Sequence, residues 1–236
     1  MTVRLIICLL LGYAFGNILT AEIVSRTVAK KSVFTIGSGN PGMANVMTEL
    51  GFGPGAATLT GDLLKTVIPC LIARFLILPE AGMAAAAWAG LGAVLGHNFP
   101  VWHRFRGGMG VSATCAAMFM VQPAAGLLSM ICGMYVTFAA KYLSAGAVLI
   151  PGTFAVFSAF FFGPYVMWSF IILTVLMFIA HFKNLSAMVH GTGKRVDVLA
   201  NANAKFGKYT GVIFLCISFV VDFLLVWYLI KNYINI

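Results

Sequence analysis

The chain has 236 residues, of which 61% are hydrophobic and only 9% are charged. A soluble domain carries about 25% charged residues, so this composition excludes an ordinary soluble fold. A spanning helix needs about 20 apolar residues, and the chain is therefore long enough for seven or eight crossings without a separate soluble domain. The net charge of +9 does not indicate a nucleic-acid partner, because the cations lie between apolar segments, as in cytoplasmic loops that face anionic lipid.

Eight apolar stretches predict an all-α polytopic membrane protein, a bundle of seven to eight transmembrane helices with re-entrant or glycine-rich cytoplasmic loops. The stretches are 3–21, 54–78, 82–100, 111–122, 124–140, 145–162, 165–181 and 209–230. The fourth is short, so Gln122-Pro123 marks either a turn between two helices or a bend within one long helix. We expect the first helix to remain uncleaved, because no small-residue cleavage site stands out after Gly16.

The distribution of positive charge predicts the orientation. If all eight stretches cross and the N-terminus lies outside, the loops 22–53, 101–110, 141–144 and 182–208 share one side. These loops hold eleven of the fifteen Lys and Arg residues: Arg26, Lys30, Lys31, Arg104, Arg106, Lys141, Lys183, Lys194, Arg195, Lys205 and Lys208. The positive-inside rule places that side in the cytoplasm.

Two glycine-rich loops on this side suggest binding sites for two phosphates. In the first, three glycines surround Ser38 and Asn40, so backbone N–H groups can form an anion-binding nest; a reverse turn that merely needs glycine is an equal alternative. In the second, residues 105–110 open a helix, and the N–H groups, the positive helix end and Arg106 all favour an anion.

The remaining polar residues leave structural and chemical roles open. His97 and His181 lie at cytoplasmic helix ends, where a neutral imidazole can hydrogen-bond or accept a proton, although a lone histidine is more often structural. Asp62 and Lys65 share a helix face, and a mutual ion pair is at least as plausible as direct catalysis. We expect no metal, no cofactor and no covalent intermediate, since neither ligand spacing nor an activated nucleophile is present.

Three ordered motifs resemble the bacterial acyl-phosphate-dependent glycerol-3-phosphate acyltransferases over residues 1–193. The first is Ser38-Gly39-Asn40-Pro41-Gly42, followed by Asn45 and Gly51, with Asp62 and Lys65 matching the acidic and basic pair downstream. The second is Gly96-His97-Asn98-Phe99-Pro100, followed by Phe105-Arg106-Gly107-Gly108-Met109-Gly110-Val111. The third begins with His181-Phe182-Lys183-Asn184.

The resemblance implies a multi-pass protein of the bacterial inner (plasma) membrane that transfers an acyl group from an acyl-phosphate to glycerol-3-phosphate, giving lysophosphatidate and phosphate. The implied catalytic residues are Ser38, His181 and Asn184. The implied substrate-binding residues are Gly39, Asn40, Gly42, Asn45, His97, Arg106, Gly107, Gly108, Gly110 and Ser144. Asp62 and Lys65 would support them. Residues 1–208 would form the seven-helix acyltransferase-like domain, and 209–236 an additional transmembrane helix that could bind a partner.

The chain also departs from the family pattern. Thr48, Met109 and Ala187 stand where the family has cations, Gly193 replaces a glutamate, and Ala147 replaces a serine. Charge-assisted phosphate contacts are worth about 1.5–3 kcal/mol each. The family activity therefore competes with two alternatives: a divergent acyltransferase with a less charged acceptor, and a non-catalytic membrane scaffold. A transporter is disfavoured, because the polar residues cluster at one face.

Overall fold

The computed structural model describes residues 2–207 and 209–233, and this part of the chain is helical and contains no strand. Within it, six helical segments are long and apolar enough to cross a membrane: Thr2–Ala29, Phe52–Ile77, Pro123–Ala140, Leu143–Phe161, Pro164–Val189 and Thr210–Tyr233. The predicted all-α membrane fold is confirmed. Lys208 and residues 234–236, which belong to the predicted cytoplasmic loop and terminal segment, lie outside the described residues.

The chain divides into two units, residues 1–121 and 122–236. The helices of the first unit are α1 (Thr2–Gly16), α2 (Thr20–Ala29), α3 (Met43–Leu50), α4 (Phe52–Ile72, continued by a π-helical turn Ala73–Ile77), α5 (Met83–Asn98) and α6 (Val111–Val121). At 1.5 Å per residue, α5 is about 24 Å long and α6 about 16 Å, both shorter than a hydrocarbon core of about 30 Å. The predicted crossings 82–100 and 111–122 therefore correspond to short helices.

Small residues allow α1 and α5 to pack backbone against backbone. A Cβ atom at Gly12 or Gly16 of α1 would overlap backbone atoms of α5, and a Cβ atom at Gly92 or Gly96 of α5 would overlap backbone atoms of α1. Membrane helices use small residues at a spacing of four to approach closely in this way. The packing fixes the end of α5, which carries His97.

The segment 22–53, predicted as a loop, contains helices α2 and α3 instead. The chain folds back after α2 because the buried carboxylate of Glu22 accepts hydrogen bonds from Arg26 Nε at 2.5 Å, from the Ser32 hydroxyl and from the Val33 N–H at 2.7 Å. These hydrogen bonds offset the desolvation cost of burying the Glu22 carboxylate. No sequence pattern had singled it out.

The helices of the second unit are α7 (Pro123–Ala140), α8 (Leu143–Phe161), α9 (Pro164–Val189), α10 (Val198–Phe206) and α11 (Thr210–Tyr233). Gln122 has an extended backbone, and its side-chain oxygen caps α7 by accepting the Ala124 N–H at 2.6 Å. The stretches 111–122 and 124–140 are therefore separate helices rather than one bent helix.

Close contacts join the helices of the second unit. The rings of Phe154 on α8 and Phe170 on α9 are 4.3 Å apart between centroids. The hydroxyl of Tyr135 on α7 donates to the hydroxyl of Ser218 on α11 at 3.0 Å. Asp222 lies one helical turn after Ser218 and interacts with Tyr135. A structural role for Asp222 is consistent with this placement.

Candidate active site

Asn45 braces the first glycine-rich loop. Its Oδ1 accepts the Ser38 N–H at 2.9 Å, and its Nδ2 donates to the Ile36 carbonyl at 3.2 Å. The side chain is buried at the start of α3. Both polar atoms are engaged with the loop backbone, so Asn45 holds the loop in place, and its role in phosphate binding stays a prediction.

The other N–H groups of this loop are also used internally. Gly39 donates to the Ile36 carbonyl and Gly42 to the Asn40 carbonyl, each at 2.9 Å, while the Asn40 N–H faces the Ser38 hydroxyl at 3.4 Å. The predicted nest of inward-pointing N–H groups is therefore wrong for these positions. The exposed Ser38 hydroxyl and the half-buried Asn40 side chain are the groups that can meet a substrate.

The second glycine-rich loop precedes a helix instead of opening it, since α6 begins only at Val111. The Gly108 N–H donates to the His97 carbonyl at 3.0 Å, so it is not free for phosphate as predicted. A Cβ atom at Gly107 would overlap the carbonyl oxygen of His97, and Gly110 has a φ of +79°. These glycines let the loop lie directly on the end of α5.

The two loops meet within the first unit. A side chain at Gly108 would run into the Nε2 atom of His97 and would touch the Pro41 carbonyl of the first loop. Exposed Arg106 stacks over Phe34, with its Cζ 5.7 Å from the ring centroid, and the Phe34 carbonyl borders Gly39. Phe34 was missed in the sequence, because an aromatic residue between two helices carries no motif.

A buried charged cluster lies beneath this junction. Lys65 Nζ lies 2.7 Å from Asp62 Oδ1, 2.9 Å from the Ile18 carbonyl and 2.8 Å from His97 Nδ1. The Lys65 ammonium and the Asp62 carboxylate form an ion pair. The mutual ion pair expected for Asp62 and Lys65 is observed, and His97, predicted separately, contacts it.

Polar residues of α1 hold the segment that links α5 to the second loop. The Val101 N–H donates to Asn17 Oδ1 at 2.7 Å, and the Tyr13 hydroxyl donates to the Phe99 carbonyl at 2.8 Å. Tyr13 and Asn17 are four residues apart, so they share a helix face. This spacing inside an apolar stretch is a sequence feature that could have revealed them.

In the second unit, a cavity of about 330 Å³ lies between the start of α8 and the end of α9. Its lining includes Tyr142, Ser144, Asn184, Ala187, Gly193 and Lys194. Two predicted site residues, Ser144 and Asn184, thus line the same cavity. Lys194 is the single cationic residue in the lining described for this cavity.

The segment 194–197, which contributes lining residues to this cavity, contacts the turn between α7 and α8. The Val196 N–H donates to the Lys141 carbonyl at 2.8 Å, Lys141 Nζ lies 2.6 Å from Asp197 Oδ2, and Arg195 Nε donates to the Tyr142 hydroxyl at 3.3 Å. The hydrogen bond from Lys141 holds the pKa of the Asp197 carboxyl below its usual range. The stabilisation is therefore present above the ordinary carboxyl range and is lost as the pH falls through the lowered pKa.

His181 is buried on α9, one turn before Asn184. Its Nδ1 lies 3.0 Å from the Met177 carbonyl, which can only accept a hydrogen bond. Nδ1 therefore carries the proton, and Nε2 remains as an acceptor. Over residues 2–207 and 209–233, no group of three or more His, Cys, Asp or Glu side chains could hold a metal ion.

Comparisons with known proteins agree with the family that the motifs resemble. Residues 6–191 match the glycerol-3-phosphate acyltransferase family model. The chain belongs to this family. Glycerol-3-phosphate acyltransferase 1 of Lactobacillus johnsonii is 36% identical over 86% of this chain and 98% of its own length. The glycerol-3-phosphate acyltransferase of Thermoanaerobacter pseudethanolicus is 32% identical over 79% of this chain and 93% of its own.

Solved structures of an integral membrane glycerol 3-phosphate acyltransferase are also similar to this chain. Its glycerol 3-phosphate form has a TM-score of 0.71 and 26% identity over 83% of this chain and 97% of that one. Its lysophosphatidic acid form has a TM-score of 0.70 and 25% identity over 89% and 98%. The predicted family and the multi-pass membrane character are confirmed.

The departures of this glycerol-3-phosphate acyltransferase family member fall at distinct places. Ala187 and Gly193 line the cavity of the second unit. Ala147 is buried three residues after Ser144 in α8. Thr48 is exposed on α3 and donates to the carbonyl of its own helix at Ala44. The altered charges therefore include two positions in the wall of a cavity that also carries Ser144 and Asn184.

Proposed function

We propose that this membrane acyltransferase transfers an acyl group from an acyl-phosphate to the 1-hydroxyl of glycerol-3-phosphate. The bond from the acyl carbon to the phosphate oxygen breaks, a new ester bond forms, and the hydroxyl proton leaves with inorganic phosphate. The observation that carries the proposal is the family match over residues 6–191, which spans all three motifs. The glycerol 3-phosphate and lysophosphatidic acid forms of the solved relative support the substrate and product classes.

In the first unit, we assign phosphate binding to the side chains around the loop junction. Arg106 carries a permanent positive charge, and the stacking of its guanidinium over Phe34 holds that charge beside the first loop. Guanidinium groups bind phosphate with paired hydrogen bonds. The Ser38 hydroxyl and the Asn40 amide add neutral contacts, while the glycines keep side chains away from the junction.

In the second unit, we assign the cavity to a second phosphate. Lys194 provides the charge, and Ser144 and Asn184, which also line the cavity, provide hydrogen bonds. His181 orients the attacking hydroxyl, because its Nε2 is an acceptor. An acyl-phosphate is already activated, so positioning and charge stabilisation suffice without a protein nucleophile.

A less charged acceptor is the second candidate, and the wall of the same cavity favours it. Ala187 and Gly193 leave space and no charge where the family places an arginine and a glutamate. A neutral alcohol would lose little from the missing cation, whereas a dianion would lose about 1.5–3 kcal/mol for each absent charged contact.

An acceptor panel separates these candidates. Purified protein is given an acyl-phosphate with glycerol-3-phosphate, with glycerol or with no acceptor, and phosphate release is measured. Release that requires glycerol-3-phosphate supports the first candidate, and release that requires a neutral alcohol supports the second. If none of the acceptors in the panel leads to phosphate release, only the non-catalytic scaffold would remain.

Restoring the missing charge sharpens the comparison. Ala187→Arg places a cation in the cavity beside Ser144, and Thr48→Arg places one at an exposed position where desolvation costs little. For a phosphate-binding site, Ala187→Arg should lower the KM for glycerol-3-phosphate by about tenfold, since one charged contact contributes about 1.5 kcal/mol or more. An unchanged KM in folded protein would favour the neutral acceptor.

We also propose that the protein resides in the bacterial inner membrane with its N-terminus outside and both glycine-rich loops in the cytoplasm. The clustering of cations in the segments around those loops supports this orientation. Residues 1–208 would form the acyltransferase-like domain, since the family match ends at residue 191. The helix α11 would then be an addition to that domain.

A further inference from the structure

The Lys65 ammonium contacts one nitrogen of the His97 ring, Nδ1. The Lys65 ammonium has three N–H groups and three close partners: Asp62 Oδ1 at 2.7 Å, the Ile18 carbonyl at 2.9 Å and His97 Nδ1 at 2.8 Å. The side chains of Asp62, Lys65 and His97 are all at least nine-tenths buried. The cluster is formed by α4, α5 and Ile18, which follows α1, and the three helices pack together in the first unit.

The charges of this cluster determine where the imidazole proton lies. An ammonium group has no lone pair, so the ring nitrogen that faces it must accept the hydrogen bond. A protonated ring beside the Lys65 ammonium would place two cationic donors 2.8 Å apart. A neutral Lys65 would leave the buried Asp62 carboxylate with no cation, or with only a protonated His97 whose Nδ1 is 3.6 Å away in place of an ammonium at 2.7 Å. Both alternatives are unfavourable, and the remaining state has the proton on Nε2.

The Nε2 atom lies at the junction of the two glycine-rich loops. It borders the space that a side chain at Gly108 would fill, and the Pro41 carbonyl of the first loop borders the same space. A proton on Nε2 therefore points a hydrogen-bond donor at the place where both loops meet. His181, in the second unit, has the opposite arrangement, with its proton on Nδ1.

We infer that Lys65 is a positioning residue that fixes His97 as the neutral tautomer protonated on Nε2, and so makes His97 a hydrogen-bond donor at the loop junction. In this state His97 has no free lone pair with which to accept a proton, so it does not act as a general base. The consequence for turnover rests on the proposed acyl transfer, but the tautomer itself does not.

Nitrogen NMR of the whole protein tests the inference directly. With ¹⁵N-labelled histidine, the chain contributes four histidine residues, and the spectrum of His97→Gln identifies the resonances of His97. We expect an unprotonated Nδ1 and a protonated Nε2 in the wild-type protein near neutral pH. A protonated Nδ1, in either the neutral or the cationic ring, would overturn the inference.

A charge-neutral double variant tests the role of Lys65. Asp62→Asn with Lys65→Met removes both charges together, so no unpaired ion is left buried. We expect His97 to populate both tautomers and kcat/KM to fall about tenfold, the effect of one hydrogen bond of about 1.4 kcal/mol. Retention of the Nε2 proton alone in this variant would assign tautomer control to another group.

The control is Arg74→Met, which removes another cation of the same helical segment. Arg74 donates to the Met120 carbonyl at 2.7 Å and has no contact with His97 among those described. Its replacement should leave the His97 resonances unchanged. If the wild-type spectrum shows the expected tautomer while no acceptor supports acyl transfer, the proposed function fails and the tautomer assignment stands. If the double variant does not fold, the wild-type spectrum still decides the tautomer.

Discussion

The N–H groups of Ser38, Gly39, Asn40 and Gly42 face oxygen acceptors of the loop itself or of Asn45, so side chains must supply the charge that a phosphate requires. The sequence identified the residues of both glycine-rich loops but assigned their N–H groups to a ligand. The direction of those hydrogen bonds depends on the turn geometry and on Asn45, which lies in the following helix. Motif spacing alone does not contain that information.

Arg106 should be the principal phosphate-binding cation of the first unit. Arg106→Ala removes a guanidinium held beside the first loop, and the KM for a phosphate-bearing substrate should rise at least tenfold, since a charged contact is worth about 1.5–3 kcal/mol. Steady-state kinetics measure this change. Arg104→Ala is the matched control, because Arg104 is an exposed cation of the same turn; an equal effect from both variants would mean that the loop's charge acts only at long range.

At the scale of helices, the sequence predicted the apolar elements but missed why they pack. The pairs Gly12 with Gly16 and Gly92 with Gly96 show the spacing of small residues, yet the spacing does not identify the partner helix. The sequence also missed α2 and α3, because their charged and polar residues suggested a loop. Burial of Glu22 against three donors is a tertiary effect that no local pattern reveals.

Tight packing of α1 on α5 should be sensitive to a single methyl group. Gly92→Ala would place a Cβ atom against the α1 backbone, and overpacking of this kind costs about 1–3 kcal/mol. Thermal unfolding in detergent should show a lower midpoint. Gly53→Ala is the control, because its Cβ atom would meet open space near the start of α4. Equal midpoints for the two variants would contradict close packing of α1 and α5.

The helix α11 should be dispensable for acyl transfer. Deletion of residues 209–236 removes the Tyr135–Ser218 hydrogen bond but none of the motif residues. We expect the truncated protein to retain acyl transfer and to unfold at a lower midpoint. A Tyr135→Phe variant should lower the midpoint by a smaller amount. If the truncated protein inserts and folds but cannot transfer acyl groups, α11 is part of the catalytic domain.

For the whole molecule, the predicted cytoplasmic position of both glycine-rich loops can be tested by labelling. In a background without native cysteines, Lys31→Cys and His190→Cys report on the segments after α2 and α9, and Glu80→Cys reports on the opposite side. A membrane-impermeant maleimide added to intact cells should label only Glu80→Cys. Labelling of His190→Cys but not Lys31→Cys would place the motifs on different faces.

The family could be predicted from three ordered motifs, because glycines, a serine and a cation stand at the spacing that these motifs have. The lost cations at Thr48, Met109 and Ala187 could also be recognised. Their consequence could not, since only the structure places Ala187 and Gly193 in the wall of a cavity with Lys194. The positive charge of Lys194 lies in the same cavity wall from which the cation at Ala187 is missing.

The product formed by the purified protein tests the central claim most directly. Acyl-phosphate and glycerol-3-phosphate are supplied together, and lysophosphatidate is measured by mass spectrometry alongside inorganic phosphate. We predict that both products form in equal amounts and only when both substrates are present. Phosphate release without lysophosphatidate, or no release at all from protein that is folded in detergent or vesicles, would contradict the account.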